Sequence, residues 1–332
     1  MINPRIKITH HINMNHYYVF NGDADGLCAL HQLRLTDPTT ASLITGVKRD
    51  IKLLDRVEAS AGDRVTVLDI SLDSNRKGLM RLLEWGVIVE YFDHHHAGEI
   101  PHHHNLTPHI DLSADVCTSL LVDHHLKGRF HLWAITAAFG DNLIQKAQQL
   151  AASAGLSKTE IEQLAHLGEY LNYNGYGDNL SDLHFHPAAL YEEIKPYNNP
   201  FNFIAQSAAF AKLAAGFKDD MSRAASLEPL TSDDHGAAYL LPDAPWARRV
   251  SGIFANKLAN ENPGRAHAVI TRNQTGNYTV SVRASLANPQ GADVLCLQFE
   301  TGGGRKAAAG INHLPIDSLD YFVTNFKQHF HN

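Results

Sequence analysis

Three short apolar runs near the start of the chain each stop at acidic or histidine side chains, and this pattern limits the possible folds more than any other feature. Tyr17-Tyr18-Val19-Phe20 runs into Asn21-Gly22-Asp23-Ala24-Asp25-Gly26, Arg64-Val65-Thr66-Val67-Leu68 stops at Asp69, and Val87-Ile88-Val89-Glu90-Tyr91-Phe92 stops at Asp93-His94-His95. Such β-branched and aromatic runs read as strands. Residues 27–33 and 74–85 lie between them, the second with Leu79, Leu82 and Leu83 at helical spacing, and read as helices. Strands alternating with helices predict a mainly parallel sheet that presents ligands at its carboxyl edge.

A fourth apolar segment, 132–139, ends at Gly140-Asp141, and periodicity alone does not decide between helix and strand there. Residues 144–171 read as one or two helices, 172–200 as an irregular Asn-, Tyr-, Gly- and Pro-rich excursion, and 205–221 as a helix. The Pro229-containing segment 226–236 reads as a linker. Beyond it, 237–241, 247–260, 267–270 and 278–284 predict β, α, β and β, with a hairpin turn at Asn273-Gln274-Thr275-Gly276-Asn277 and a closing helix over 316–329. At 332 residues, two domains are expected. The fold class is α/β: an N-terminal, mainly parallel-sheet domain over 1–225 with helices over 144–221 at its end, then a smaller α/β domain over 237–332, with a cleft between them.

Hydrophobic residues make up 44% and charged residues 19% of the chain, with no apolar run long enough to span a bilayer, so a soluble protein without a membrane partner is expected. The first 18 residues lack an apolar stretch of the signal-peptide type, which predicts a cytoplasmic location. Cys28, Cys117 and Cys296 are far apart and form no CxxC pair, so they read as core residues rather than disulfides or thiolate metal ligands. A net charge of −7 argues against binding long duplex DNA. Among 22 histidines, His102, His103 and His104 read as a solvated loop or as a cation-holding run.

Asp23 and Asp25 alone fit a structural turn as well as a pair of hard oxygen ligands. Joined by Asp69 and by Asp93-His94-His95 from two other strand ends, they form a cluster that would repel itself unless divalent ions were present.

Asn21-Gly22-Asp23-Ala24-Asp25-Gly26, Val67-Leu68-Asp69, Phe92-Asp93-His94-His95 and Gly140-Asp141 together resemble the four ordered motifs of the DHH phosphoesterases, as in their RecJ-like and nanoRNase-like branches. Residues 236–332 resemble the DHHA1-type second domain through Val280-Ser281-Val282-Arg283-Ala284-Ser285 and Gly302-Gly303-Gly304-Arg305-Lys306-Ala307-Ala308-Ala309-Gly310. The resemblance implies Asp23 on one metal, Asp25, His94 and Asp141 on another, and Asp69 bridging them. Mn2+ would be the usual ion, with Mg2+ or Co2+ as substitutes. It further implies that His95 faces the substrate phosphate, that Asp93 orients the imidazoles, and that water activated between the ions attacks phosphorus. Arg283, Ser285, Arg305 and the amides of Gly302, Gly303 and Gly304 would bind the substrate.

The chain has Val19 and Asn21 where branches of the family place a His and an Asp, so Asn21 becomes a candidate ligand, and Arg305 replaces the usual His after the glycines. The implied activity is hydrolysis of short oligonucleotides, or of cyclic or linear dinucleotides, to nucleoside monophosphates. The alternatives are a pyrophosphatase or exopolyphosphatase, a RecJ-like single-strand exonuclease, and a catalytically decayed nucleotide-binding module. The oligomeric state is open, a homodimer being one option.

Overall fold

The computed structural model describes residues 14–331, so the expectation about the N-terminal segment lies almost wholly outside the described residues. The chain begins β1 (His16–Phe20), α1 (Ala24–Thr36), β2 (Ser42–Thr45), β3 (Arg64–Leu68), α2 (Leu72–Glu84), β4 (Ile88–Asp93) and β5 (Leu106–Ile110). These five strands form one sheet, all neighbours parallel, in the order β2-β1-β3-β4-β5. The order reverses direction between β1 and β3, and the crevice at such a switch point is where open α/β sheets bind ligands.

Register then decides which loops meet. Phe20 lies opposite Leu68, and Leu68 opposite Phe92, so the residues that follow β1 and β3 and the end of β4 leave the sheet as one row. Side chains alternate between two buried faces, as expected where helices cover both sides of a parallel sheet. Val19, Val67, Val89 and Tyr91 pack under α2, while Tyr18, Phe20, Leu68 and Phe92 face a larger helical layer.

That layer holds α1 with α3 (Thr118–His125), α4 (His131–Gly140), α5 (Ile144–Ser153), α6 (Lys158–Gly175), α7 (Pro187–Ile194), α8 (Pro200–Gln206) and α9 (Ala208–Ala225). The ambiguous segment before Asp141 is therefore a helix, α4, apolar all round because it packs among α1, α3, α5 and α6. The excursion expected over 172–200 is partly regular instead. Pro187 and Pro200 start helices, where the missing N–H costs nothing, and the His186 and Asn199 side chains cap them. The helix expected over 205–221 is two helices, separated at Ser207, whose side chain accepts from Ala209 N.

The second sheet contains β6 (Thr231–Ser232), β7 (Gly236–Leu241), β8 (Ala266–Arg272), β9 (Tyr278–Arg283), β10 (Gly302–Gly304) and β11 (Ala308–Leu314), in the order β10-β11-β9-β8-β7-β6. Helices α10 (Pro245–Glu261), α11 (Ala292–Cys296) and α12 (Leu319–His331) accompany it. Only β7 and β8 pair in parallel. The segment expected as a linker contributes β6, which pairs with β7. Helix α10 joins the two halves: Ala247, Val250 and Phe254 pack with Tyr173 of α6, Ala224 of α9 and Val269 of β8. Arg248 grips Asp182 through Nε at 3.0 Å and Nη2 at 2.8 Å, and Arg249 Nε donates to Asp220 at 2.8 Å. All three cysteines are free and buried, and among the described residues no helix is long and apolar enough to cross a membrane.

His31 on α1 is 1% exposed; its Nε2 lies 2.8 Å from Tyr197 O, and its ring packs edge-on against Trp133. Burial lowers its pKa from 6.5 to about 4. Above the unfolded value the ring is neutral in both states. As pH falls through this window the unfolded chain gains a proton that the folded chain refuses, costing on the order of 3 kcal/mol once complete. Thermal unfolding followed by circular dichroism is expected to show a melting temperature that drops between about pH 7 and pH 5. In His31→Leu that drop should be smaller, although the variant starts from a lower melting temperature because the bond to Tyr197 is lost.

Candidate metal centre

The centre is assembled from backbone geometry first. Between β1 and α1 the chain turns so tightly that a Cβ at Gly26 would lie 2.1 Å from Asn21 O, and one at Gly22 would lie 2.1 Å from Gly46 O. The first contact closes the acidic loop, and the second presses it against the segment that carries Lys48. Asp23 caps α1, its Oδ1 accepting from Asp25 N at 3.1 Å and Gly26 N at 3.2 Å. Asp69 ends β3 with φ of 60°, a left-handed conformation that costs a residue with a Cβ about 1–2 kcal/mol, while its N–H still donates to Phe92 O at 3.0 Å.

Asp25 is held by the start of α3. Thr118 N donates to its Oδ2 and Ser119 N to its Oδ1, each at 2.7 Å, where free helix amides favour negative charge. Thr118 Oγ1 donates to Asp69 Oδ1 at 3.2 Å. The His94 ring reaches into this group, with Nε2 3.4 Å from Asp69 Oδ1, 3.6 Å from Asp141 Oδ2 and 3.9 Å from Asp25 Oδ2. His95 Nδ1 lies 2.7 Å from the wholly buried Asp93, which orients the ring while leaving it exposed.

Two sets of donor atoms therefore lie within 4.8 Å of one another, Asp25 with His94 and Asp141, and Asp69 with His94 and His95. A third, Glu90 with His109 and His125, joins β4, β5 and the end of α3, and there His109 Nε2 already pairs with Glu90 at 3.1 Å. His102, His103 and His104 join no such set among the described residues; His103 Nδ1 accepts from Asn105 N instead.

Electrostatics marks the same place. Burial, reinforced by Asp25, Asp23 and Asp141, pushes the Asp69 carboxyl well above its usual range. Burial and Asp25 push Asp141 up to about 6. Burial opposes ionisation of Asp23 too, but Lys48, whose Nζ is 2.6 Å from Oδ2, holds its pKa below the usual value. For His95, burial works against protonation, but the hydrogen bond and charge of Asp93, with Asp25 and Asp141, together outweigh it and raise the pKa. Mixed carboxylate and imidazole donors, buried together and repelling one another when ionised, are a donor set that fits a divalent cation such as Mn2+.

Asp141 opens onto a cleft of about 1160 Å³. One wall carries Lys48, Glu169, Tyr170, Asn172 and Tyr176, and the other Ile253, Asn256, Lys257 and Asn260 of α10, with Phe217, Lys218 and Met221 of α9 also lining it. Lys48 and the α10 face have no motif in the sequence, and their role emerges only from the fold.

Most of the expected substrate-binding residues lie elsewhere. Arg283 Nε donates to Asn256 Oδ1 at 2.6 Å, so it stands behind a cleft residue. Ser285 Oγ donates to Pro263 O at 2.9 Å. Gly302, Gly303 and Gly304 do not form an open anion loop; they pair with β11 as an edge strand, and a Cβ at Gly302 would meet Cys296 O. Arg305 sits exposed in the turn between β10 and β11. None of these four segments lines the cleft.

No family model and no curated protein sequence matches this chain. Solved structures do. A manganese-bound exonuclease RecJ aligns over 96% of this chain and 90% of its own, at 16% identity and a TM-score of 0.62. RecJ from Thermus thermophilus in complex with Mn2+ aligns over 96% and 52%, at 17% identity and 0.63. The pGpG-specific phosphodiesterase PggH of Vibrio cholerae aligns over 96% and 99%, at 13% identity and 0.56. The five-stranded parallel sheet followed by a mixed second sheet is thus the fold of the RecJ exonuclease and of the PggH phosphodiesterase.

Proposed function

We propose that the chain is a divalent-metal-dependent phosphodiesterase acting on short oligonucleotides or on cyclic or linear dinucleotides, releasing nucleoside monophosphates. The observation that carries this reading is the convergence of Asp25, Asp69, His94 and Asp141 at the switch point of the sheet, beside the cleft. Solved structures of the same fold include an exonuclease and a dinucleotide phosphodiesterase.

Each residue then has a task. Asp25, Asp69, His94 and Asp141 would hold the metal, with Asp23 and Asn21 beside them. A divalent ion bound there supplies Lewis acidity toward phosphoryl oxygens and toward water. The α3 amides and Thr118 keep Asp25 and Asp69 aimed before substrate arrives. His95, oriented by Asp93, whose carboxylate favours the protonated ring, would reach out to donate to a phosphate oxygen. Lys48, Lys218 and Lys257 offer further donors along the cleft, and Tyr170, Tyr176 and Phe217 offer ring faces for bases. Clefts for small ligands run to about 1,000 Å³, so this one suits a short phosphorylated ligand.

Purified protein with Mn2+ should cleave a linear dinucleotide or short RNA, and chelation should abolish the activity. Inactivity on dinucleotides, short RNA and single-stranded DNA alike would overturn the reading, and turnover of pyrophosphate or polyphosphate alone would redirect it to phosphoanhydrides. Asp69→Ala should drop turnover below detection with an unchanged circular dichroism spectrum, and full activity would refute the site assignment. Thr118→Val, which removes only the hydroxyl that orients Asp69, should cost roughly 10- to 100-fold in activity or metal affinity.

A further inference from the structure

Asp23 touches Asp69 but differs from the other carboxylates of the centre in its donors. Its Oδ1 is filled by the Asp25 and Gly26 amides at 3.1 and 3.2 Å, and its Oδ2 by Lys48 Nζ at 2.6 Å. Among the described residues it belongs to neither donor set of the centre. The remaining donors converge on His94 Nε2 at 3.4, 3.6 and 3.9 Å. Around one small ion with ligand distances near 2.0–2.2 Å, neighbouring donors lie roughly 3 to 3.6 Å apart, which is about the spacing of His94 from each carboxylate. Asp69, which falls in a different donor set from Asp25 and Asp141, would move in to complete the shell of a single ion. Both donor sets also use His94, whose one inward nitrogen ligates one ion.

The position beside Asp23 already holds positive charge. Lys48 Nζ lies 3.2 Å from Asn172 Oδ1 and 4.0 Å from Asp141 Oδ1, while His94 approaches the other oxygen, Oδ2, of the same carboxylate. Asp141 thus stands between an ammonium on one side and the His94 set on the other. The backbone holds Lys48 in place through its N–H to Gly175 O at 2.8 Å. Neighbouring side chains offer a second metal little: Val19 is buried in the apolar cluster under α2, and Asn21 turns its Nδ2 toward Lys48 O, leaving one neutral oxygen without a partner.

We propose that the Lys48 ammonium occupies the place of a second metal, and that the centre takes one divalent ion, on Asp25, Asp69, His94 and Asp141. This inference rests on the phosphoesterase reading for the nature of the centre and departs from its two-ion form. An ammonium supplies a permanent charge and three donors without Lewis acidity. Because Lys48 also lines the cleft, its charge sits where a substrate phosphate enters.

The test counts Mn2+ bound to the full chain and records its electron paramagnetic resonance spectrum in the wild type, Lys48→Arg, Lys48→Ala and Lys48→Gln. The wild type and Lys48→Arg should bind one ion per chain with the spectrum of an isolated ion. Lys48→Ala and Lys48→Gln should gain a second ion and an exchange-coupled spectrum, which Mn2+ scattered over surface histidines would not produce. If Lys48→Ala does not fold, Lys48→Gln, which retains a donor to Asp23, carries the test. An exchange-coupled pair in the wild type would overturn the proposal while leaving the phosphoesterase reading intact. Variants that stay at one ion would also overturn it, assigning the missing ion to Val19 and Asn21. A wild type that binds no Mn2+ would defeat the metal-centre reading itself, and this inference with it.

Discussion

Asp23, Asp25, Asp69 and Asp141 are brought together at one edge of a sheet, and the rest of the centre is an answer to their mutual repulsion. Taking carboxylates out of water is costly unless each meets compensating charge or hydrogen bonds. Asp25 meets the N-terminus of α3, Asp23 meets Lys48, and Asp69 and Asp141 are left to share the His94 ring. Asp69, with the Thr118 hydroxyl as its donor, and Asp141, 4.0 Å from Lys48, have weaker compensation than their burial demands, and burial together with the neighbouring carboxylates pushes both pKa values up. The placement of α3 is itself secured from α1, since Ser119 Oγ donates to Asp25 O at 2.8 Å and Gln32 Nε2 donates to Ser119 O at 3.1 Å. Helix α1 thus positions both the acidic loop and the amides that neutralise it.

Helix α10 is to the cleft what α3 is to the centre. Ile253, Asn256, Lys257 and Asn260 follow the i, i+3, i+4, i+7 spacing of one helical face, and that face lines the cleft. The adjoining face, Val250, Phe254 and Leu258, packs into the cluster around Tyr173, with Ile253 at the border of the two. Arg248 and Arg249 lock the start of the helix to Asp182 and Asp220, and the Tyr173 hydroxyl also donates to Asp220. Each of these ions is buried, so displacing either partner would strand a charge, and the orientation of α10 across the cleft is narrowly set.

The strand ends were legible in the sequence because a parallel strand buried on both faces has to be apolar, and the first polar residue after it marks the carboxyl edge. That logic found β1, β3 and β4 and their acidic residues without any contact information. It missed β2 and β5, which are short edge strands whose residues are mostly only partly buried, so their sequences carry little apolar signal. It left α4 undecided for the opposite reason, since a helix packed on all sides has no polar face to reveal its period. The backbone donors at Thr118 and Ser119 were invisible because an amide has no side-chain signature. Lys48 was invisible because it lies 25 residues from the carboxylate it neutralises. The glycine run is ambiguous in sequence because glycine tolerates both an anion-binding loop and a strand packed close against a neighbouring carbonyl; in the fold it is an edge strand, with Gly302 packed against Cys296 O.

The net charge of −7 argues against long nucleic acids, but attraction over a Debye length of about 8 Å is decided by the charges lining the cleft. There Lys48, Lys218 and Lys257 face Asp141, Glu169 and Glu261, a formal balance of zero, with the buried Asp25 and Asp69 close behind Asp141. On the phosphodiesterase reading, a phosphate entering the cleft without a cation in the centre would meet no net attraction, and one entering with it would meet two additional positive charges. Metal and substrate are then linked through a shared electrostatic field, each favouring the binding of the other by the same factor.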